Sequence, residues 1–385
     1  MDYLLTEEQK MILELTRKIA DEKITPVVAY HDETEEFPWD IMKLLAEADL
    51  FGVYIPQEYG GLGGGVFELS LVTEELSRVC GGIAICYAAT ALGTYPILLF
   101  GNEEQKKKYL PQVASGRKLA AFALTESNAG SDAAGIQTVA KKEGDHYILN
   151  GTKQWITNGG EAEIYTVIAM TDRAKGARGA AAFIIDKGME GFTFGKKEKK
   201  MGIRASATRE LIFTDCKVEA DRVLGKEGMG FIVAMKTFDA SRPGVAAQAV
   251  GIAQGALEDA VKYSRQRVQF GKPISSFQAI QHMIADMATQ VEAARALVYA
   301  TARMIDAGTK NIARESAMSK LFASDVAMKV TTDAVQVFGG YGYMREYPVE
   351  KRMRDAKITQ IYEGTNQIQR NVIALQLIKE AAKGK

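Results

Sequence analysis

Residues 118–132, KLAAFALTESNAGSD, mark a change of period in this chain. Upstream of them, apolar residues recur at helical spacing. Leu5, Ile12, Leu13, Leu15, Ile19 and Ala20 predict a helix over 5–29, opened by Thr6 and Gln9 at capping-box spacing. A second helix follows Pro38 through Ile41, Met42, Leu44, Leu45 and Leu50, and stops at Gly52 and Pro56. Past the glycine-rich loop at 60–65, residues 67–79, 83–92 and 103–114 predict three more helices, with a turn at Pro96. From residue 119 the chain instead breaks into short β-prone segments, 119–124, 146–156, 164–169, 180–185, 192–194 and 209–213, separated by Gly, Asn, Asp or charged turns. After Gly228 helix formers return over 244–267, 278–306 and 311–338, with alanines that permit close packing. The order helix, sheet, helix predicts an α+β protein: an N-terminal α-helical domain at 1–120, a central β domain at 121–232, and a C-terminal α-helical domain, a four-helix bundle, at 233–385.

Composition narrows the function classes. The 385 residues are enough for two or three packed units. Forty-eight basic residues balance 48 acidic ones, so no global field draws the chain to nucleic acid or anionic lipid, and a polyanionic ligand has to be held by local groups. Cys80, Cys86 and Cys216 form no CxxC pair and fit a reducing, cytoplasmic setting. With only His31, His146 and His282 and no HExxH, a zinc site or histidine triad has little to work with. The N-terminus lacks the layout of a secretion signal. The uncharged stretch 79–102 carries four glycines and Pro96, and predicts a buried helix followed by a turn, with no stable membrane insertion.

Four regions are richer in hydroxyl, amide and glycine groups than a core requires: FALTESNAGSD at 122–132, QWITNGG at 154–160, RQRVQFGKP at 265–273, and QVFGGYGY with YEGTNQIQ at 336–343 and 362–369. Glycine backbone and Ser/Thr hydroxyls at such density suit a bulky phosphorylated cofactor. Each region also has a plainer reading: an N-capping loop at 125–132, a β-face core residue at Trp155, a solubilising charge at Arg267. No Walker loop or strand-to-helix GxGxxG is present, which disfavours nicotinamide or kinase-type chemistry. Glu363, between Tyr362 and Gly364, is the carboxylate of most interest. In an apolar pocket its proton affinity rises and it serves as a general base; at a helix start it merely accepts hydrogen bonds.

In this order, and across essentially the whole chain to IYEGTNQIQR, the regions resemble the acyl-CoA dehydrogenase family. The resemblance implies helical, β and four-helix domains around FAD and an acyl-CoA thioester. It places Thr125 at the flavin pyrimidine edge, Ser131 near cofactor and pantetheine phosphates, and Trp155 and Thr157 beside the flavin ring. Arg267, Phe270 and Gln278 match positions that bind the ADP half of FAD on a neighbouring subunit, and Gln336, Gly339, Gly340, Thr365 and Gln367 match further cofactor contacts. A homo-oligomer, a homotetramer, follows from that sharing. Glu363 is implied to remove the α-proton, with its own backbone N–H polarising the thioester carbonyl. Tyr362 and Gly364 flank the substrate, and Asp239 and Arg242 match a polar cluster near the CoA mouth. Some relatives carry the base in the segment matching FDASRP, where this chain has Ser241. The segment CYAATALG resembles the helix at the far end of the acyl pocket, with Tyr87 shortening it. That favours a short or compact acyl group, linear, branched or cyclic, and the lack of Lys or Arg over 81–100 weakens a glutaryl assignment. The implied activity is dehydrogenation to the trans-2-enoyl-CoA with electrons passed to an electron-transferring flavoprotein. The alternatives are an acyl-CoA oxidase, which the chain length disfavours, an enoyl-CoA reductase using the same catalyst in reverse, and a noncatalytic acyl-CoA-binding or assembly protein, against which the intact Glu363 argues.

Overall fold

Thr6 opens the first helix as its spacing predicts: its hydroxyl accepts the Gln9 N–H at 3.2 Å and the Gln9 side chain accepts the Thr6 N–H at 3.0 Å. The computed structural model describes residues 3–382. Helix α1 (Glu7–Ile19) is shorter than predicted, because the backbone widens to a π turn over Ala20–Ile24 and tightens to a 3-10 turn at Pro26 before α2 (Val28–Thr34). Then come α3 (Trp39–Glu47), α4 (Val66–Val79), α5 (Gly81–Phe100) and α6 (Glu103–Ala114).

Pro96 does not stop α5. The helix is buried on nearly every side, so packing holds it through the proline, and the Thr166 hydroxyl ties it to the central sheet by donating to the Gly93 carbonyl at 3.2 Å. The burial also settles the apolar stretch: among the described residues this helix alone is long and apolar enough to cross a bilayer, and it lies mostly inside the protein.

The middle of the chain forms β1 (Ala120–Ala123), β2 (Val139–Glu143), β3 (His146–Thr157), β4 (Ile164–Met170), β5 (Ala180–Asp186), β6 (Phe192–Lys197), β7 (Thr208–Glu219) and β8 (Val223–Leu224). They join in the order β6-β7-β3-β2-β4-β5-β8, with β1 parallel to β4. Strand β4 is buried at every residue and β5 at all but its last, the mark of a sheet covered on both faces. Strands β3 and β7 pair antiparallel from His146/Glu219 to Thr157/Thr208, with irregularities at Leu149/Gly151 and Lys153/Ile156.

Helix α7 (Gly230–Gln266) then crosses the molecule and runs straight through Pro243. The proline has no N–H for the Asp239 carbonyl, and the Ser316 hydroxyl donates to that carbonyl instead at 2.8 Å. A hairpin of β9 (Val268–Gln269) and β10 (Lys272–Pro273) leads to α8 (Gln278–Asp306), α9 (Ala313–Phe338), α10 (Pro348–Thr359) and α11 (Asn366–Ala381). Helix α7 packs on α8, α9 and α10 and equally on α4 and α5, so the first and last helical parts share one core. Helical N- and C-terminal regions therefore flank a central β unit, the architecture the sequence predicts. Strands β2 and β8 and helices α10 and α11 were not anticipated.

Candidate active site

A cavity of about 840 Å³, including its open mouth, lies where α4, α5, the β unit, α7 and the 360–365 turn converge. That is ligand-pocket size. Its apolar walls include Leu69, Leu92, Tyr95, Phe122 and Phe238, and its polar groups are Thr125, Thr157, Ser241, Gln248 and Glu363. Among the described residues no Lys or Arg side chain lines it.

Glu363 occupies a left-handed backbone position, φ 51°, followed by Gly364 at φ 91°. A non-glycine residue held there is strained and is over-determined by its surroundings. The Glu363 carbonyl accepts Arg242 Nε at 3.3 Å and Gln369 Nε2 at 3.0 Å, and the Gly364 carbonyl accepts Gln369 Nε2 at 2.9 Å and Lys320 Nζ at 2.9 Å. With both carbonyls drawn back, the carboxylate reaches the cavity, where Ser241 Oγ donates to Glu363 Oε2 at 2.6 Å. Loss of water pushes the carboxyl up to about 7, while the Ser241 hydroxyl and the Arg242 and Lys320 charges pull the other way. A carboxyl poised near neutrality is matched to general-base work. The Tyr362 ring lines the cavity, and its hydroxyl donates to Oε1 of the buried Gln248, whose amide donates to the Gly81 carbonyl at 3.0 Å.

Trp155 lines the same cavity. The β3 irregularity at Lys153/Ile156 puts it at φ 58° and turns it out of the strand, leaving it 56% exposed. A bulge that re-aims a side chain at a site is a recurrent device. The neighbouring loop is fastened from beneath: Gln154 N donates to the Thr125 carbonyl at 2.8 Å, and the buried Lys153 ammonium donates to the Leu124 carbonyl at 3.0 Å and to Glu126 Oε1 at 2.8 Å. The Thr125 and Thr157 hydroxyls have no hydrogen-bond partner among the described residues. An exposed indole beside unspent hydroxyls fits a planar heterocycle with polar edges, as a flavin is.

A second, shallower groove joins Arg267, Gly339, Gly340 and Tyr341 at the ends of α7 and α9, with the Arg267 guanidinium 5.0 Å above the Tyr341 ring. The backbone at Gly339 and Gly340 faces open space. Phe270 at the hairpin tip is 92% exposed, and Gln278 and Gln336 are exposed nearby in sequence on the first turn of α8 and the last of α9. These groups fit the open half of a nucleotide site. Thr365 caps α11, accepting the Ile368 N–H at 3.3 Å, and Gln367 is exposed beside it.

Three predicted residues stand elsewhere. Tyr87 is fully buried away from the cavity, its hydroxyl donating to the Leu50 carbonyl at 2.9 Å and its ring against Phe51; Tyr95, two turns on, forms that wall instead. Ser131 is exposed on the loop after β1 and is not part of the cavity lining. Arg242 is buried beneath the Glu363 turn rather than at an open mouth, 3.7 Å from Asp239, which also accepts from Lys236. Lys153, Gln248 and Lys320 were missed.

Three profiles of one family match consecutive parts of the chain: the acyl-CoA dehydrogenase N-terminal domain at 6–117, middle domain at 121–216 and C-terminal domain at 228–378. The chain belongs to the acyl-CoA dehydrogenase family. It is an oxidoreductase of that family, and solved relatives share its fold throughout. The butyryl-CoA dehydrogenase of Megasphaera elsdenii is 51% identical, with a TM-score of 0.96 over 98% of this chain and 100% of that one. A chain in a structure described as the electron transferring flavoprotein of Acidaminococcus fermentans is 53% identical, with a TM-score of 0.96 over 98% and 99%. An acyl-CoA dehydrogenase from Bacillus anthracis, complexed with FAD, is 38% identical, with a TM-score of 0.92 over 99% of this chain and 68% of that one.

Proposed function

We propose that this acyl-CoA dehydrogenase family member binds FAD and oxidises short-chain or compact acyl-CoA thioesters to trans-2-enoyl-CoA, passing the electrons to an electron-transferring flavoprotein. The observation that carries the reading is Glu363, in the wall of an apolar cavity that Trp155, Thr125 and Thr157 also line. Ser241 engages Glu363 Oε2, so Oε1 is the atom that takes the proton α to the thioester carbonyl, and the C–H pair it leaves becomes the new double bond. FAD, when bound, supplies the acceptor for the β-hydrogen and its electron pair. Trp155 and the Thr125 and Thr157 hydroxyls are the groups that would hold the cofactor ring. The Glu363 N–H makes no hydrogen bond among the described residues and is free to polarise the thioester carbonyl, which strengthens as negative charge grows there. Closure of the walls by Leu69, Leu92 and Tyr95 excludes water from the proton transfer and leaves room for a short acyl chain.

The acyl size is further supported by the likeness to the butyryl-CoA enzyme, and the partner by the likeness to the Acidaminococcus chain. Among the described residues no basic side chain joins the lining, which argues against dicarboxylic thioesters. A neighbouring subunit of a homotetramer completes each FAD site through Arg267, Phe270, Gln278, Gln336, Gly339 and Gly340, and the reducing setting suggested by three free cysteines is the cytoplasm.

The test is anaerobic titration of FAD-loaded protein with linear, branched, cyclic and dicarboxylic acyl-CoAs, for the parent and Glu363→Gln. Butyryl-size thioesters bleach the parent flavin, whereas E363Q keeps its flavin spectrum and bleaches slower by about 10³-fold or more. Near-parent bleaching by E363Q removes Glu363 as the base. Protein that neither contains nor takes up FAD removes the enzyme reading altogether.

A further inference from the structure

Lys320, on α9, is fully buried, and the reading above gives it no part. Lysine is seldom taken out of water without a carboxylate partner, yet among the described residues none lies within ion-pair distance of this one. Its ammonium is spent instead on neutral oxygens, the Gly364 carbonyl at 2.9 Å and Asn366 Oδ1 at 2.9 Å. Asn366 is locked in turn by Ser324, also on α9, and by Asp325. A buried cation committed to one peptide carbonyl marks that peptide as one whose orientation matters, because a neutral side chain would fill the space at far lower desolvation cost.

That peptide follows the base. Glu363 and Gly364 are both left-handed, and such a turn persists only where neighbours fix it. Arg242 from α7 and Gln369 from α11 hold the Glu363 carbonyl, while Lys320 and Gln369 hold the Gly364 carbonyl. Three helices thus fasten two successive carbonyls on the far side of the turn, and only the Glu363 carboxylate and N–H are left to face the cavity. Of the three, Lys320 is the one on α9, whose Asp325 also accepts Gln360 Nε2 at the start of the turn at 2.6 Å, and it is also a charge close to the carboxylate.

We propose that Lys320 is a positioning residue for the dehydrogenation: by anchoring the Gly364 carbonyl to α9 it holds the Glu363 carboxylate and N–H together in the orientation that meets the thioester. It acts through Glu363 and touches neither substrate nor cofactor. The inference rests on the function proposed above. Its charge has a consequence for pH. Around Glu363 stand Arg242 with Asp239 on α7, Tyr95 on α5 and Tyr362 in the turn itself; around Lys320 stand Asp325 on α9 and Arg370 on α11, which pairs with Asp325. Burial pushes Lys320 itself down to about 7, so it is the protonated lysine that lowers the proton affinity of the base, and its removal moves the acidic limb of kcat/KM to higher pH.

Three variants of the FAD-loaded enzyme separate anchoring from charge: Lys320→Met removes both, Lys320→Gln keeps a donor, and Lys320→Arg keeps the charge. With butyryl-CoA and an artificial electron acceptor, K320M loses about 10- to 100-fold in kcat with KM changed less than about threefold, and its acidic limb moves up. K320Q regains part of kcat with the limb still displaced, and K320R returns the limb to the parent position. Flavin content and circular dichroism check integrity, and where K320M does not fold, K320Q carries the test by the same limb. A parent-like kcat and limb in K320M or K320Q overturns the inference, as does a loss of kcat with an unmoved limb, the mark of a merely structural lysine. An active E363Q would instead bring down the function reading itself; an inactive E363Q beside indifferent Lys320 variants brings down only this one.

Discussion

At Glu363 burial and catalysis pull on the same proton. The cavity raises the carboxyl from 4.5 to about 7, so the folded protein holds the proton more tightly than the unfolded chain does. A raised acid contributes stability that is fully present below the unfolded value and is lost as pH rises through the folded one. Glu363→Gln cannot ionise and escapes that loss. Relative to the parent, E363Q therefore gains about 2–3 kcal/mol between pH 4 and pH 8, an upper figure because the side chain is only half-buried. Urea midpoints of both proteins at the two pH values measure it, and an offset that does not change with pH would place the carboxyl in its ordinary range. Glu363 was legible because IYEGTNQ sets an acidic side chain beside a glycine that frees the turn. Lys320 was not, since a lysine on an amphipathic helix reads as solvated and only the fold of α11 against α9 brings Gly364 to it. Tyr87 and Tyr95 lie in one apolar helix, and periodicity cannot tell which aromatic faces a cavity when every side of the helix is buried.

At the scale of elements, the local rules failed where a distant side chain supplied what the backbone lacked. Pro96 reads as a turn, yet packing on nearly every side carries α5 through it, and at Pro243 the Ser316 hydroxyl from α9 takes up the Asp239 carbonyl that the proline leaves without a donor. The β3 irregularity that exposes Trp155 depends on register with β7, where Ile156 pairs with the distant Arg209, which no short window holds. What keeps that segment aligned with the Thr125 loop is the pair Lys153 and Glu126, both buried. Burial pushes Lys153 down to about 8, and Glu126 is held below its ordinary value by Lys153 and the Gln137 and Thr138 N–H groups, against the desolvation that raises it. Lys153→Met leaves a buried carboxylate without its counter-charge and frees the Leu124 carbonyl, at a cost of about 3–5 kcal/mol. The thermal midpoint of the apoprotein falls accordingly, and FAD dissociates faster on dilution because the loop bearing Thr125 slackens. Adding Glu126→Gln recovers part of the stability, since a neutral amide costs less to bury. A double variant no better than K153M would show that the loss came from packing rather than charge.

Across the whole molecule, the helical ends behave as one body, and the joint that shows this is at Asp306. The last residue of α8 places its carboxylate on the start of α4, accepting the Val66 N–H at 2.7 Å and the Phe67 N–H at 2.8 Å. An anion there also meets the positive end of the α4 dipole. The bond matters to the site because α4 contributes Leu69 to the cavity wall and α7, which α4 packs against, contributes Ser241 and Phe238. Residues some 240 apart thus set the spacing of the acyl pocket. Asp306→Ala strands two backbone donors and is expected to cost about 1–3 kcal/mol, with Asp306→Asn intermediate because its amide oxygen still accepts one of them. A protein of several packed units need not unfold in one step. The informative readouts are therefore the thermal midpoint together with the rate at which a protease cuts the glycine-rich segment 60–65 just before α4. Both change in D306A: the midpoint drops and the cut quickens. If neither moves, the Glu68 carboxylate, which accepts the Gly65 N–H at 2.7 Å, is a sufficient cap by itself, and the helical ends are held by their other contacts, Arg295 to Glu74 among them.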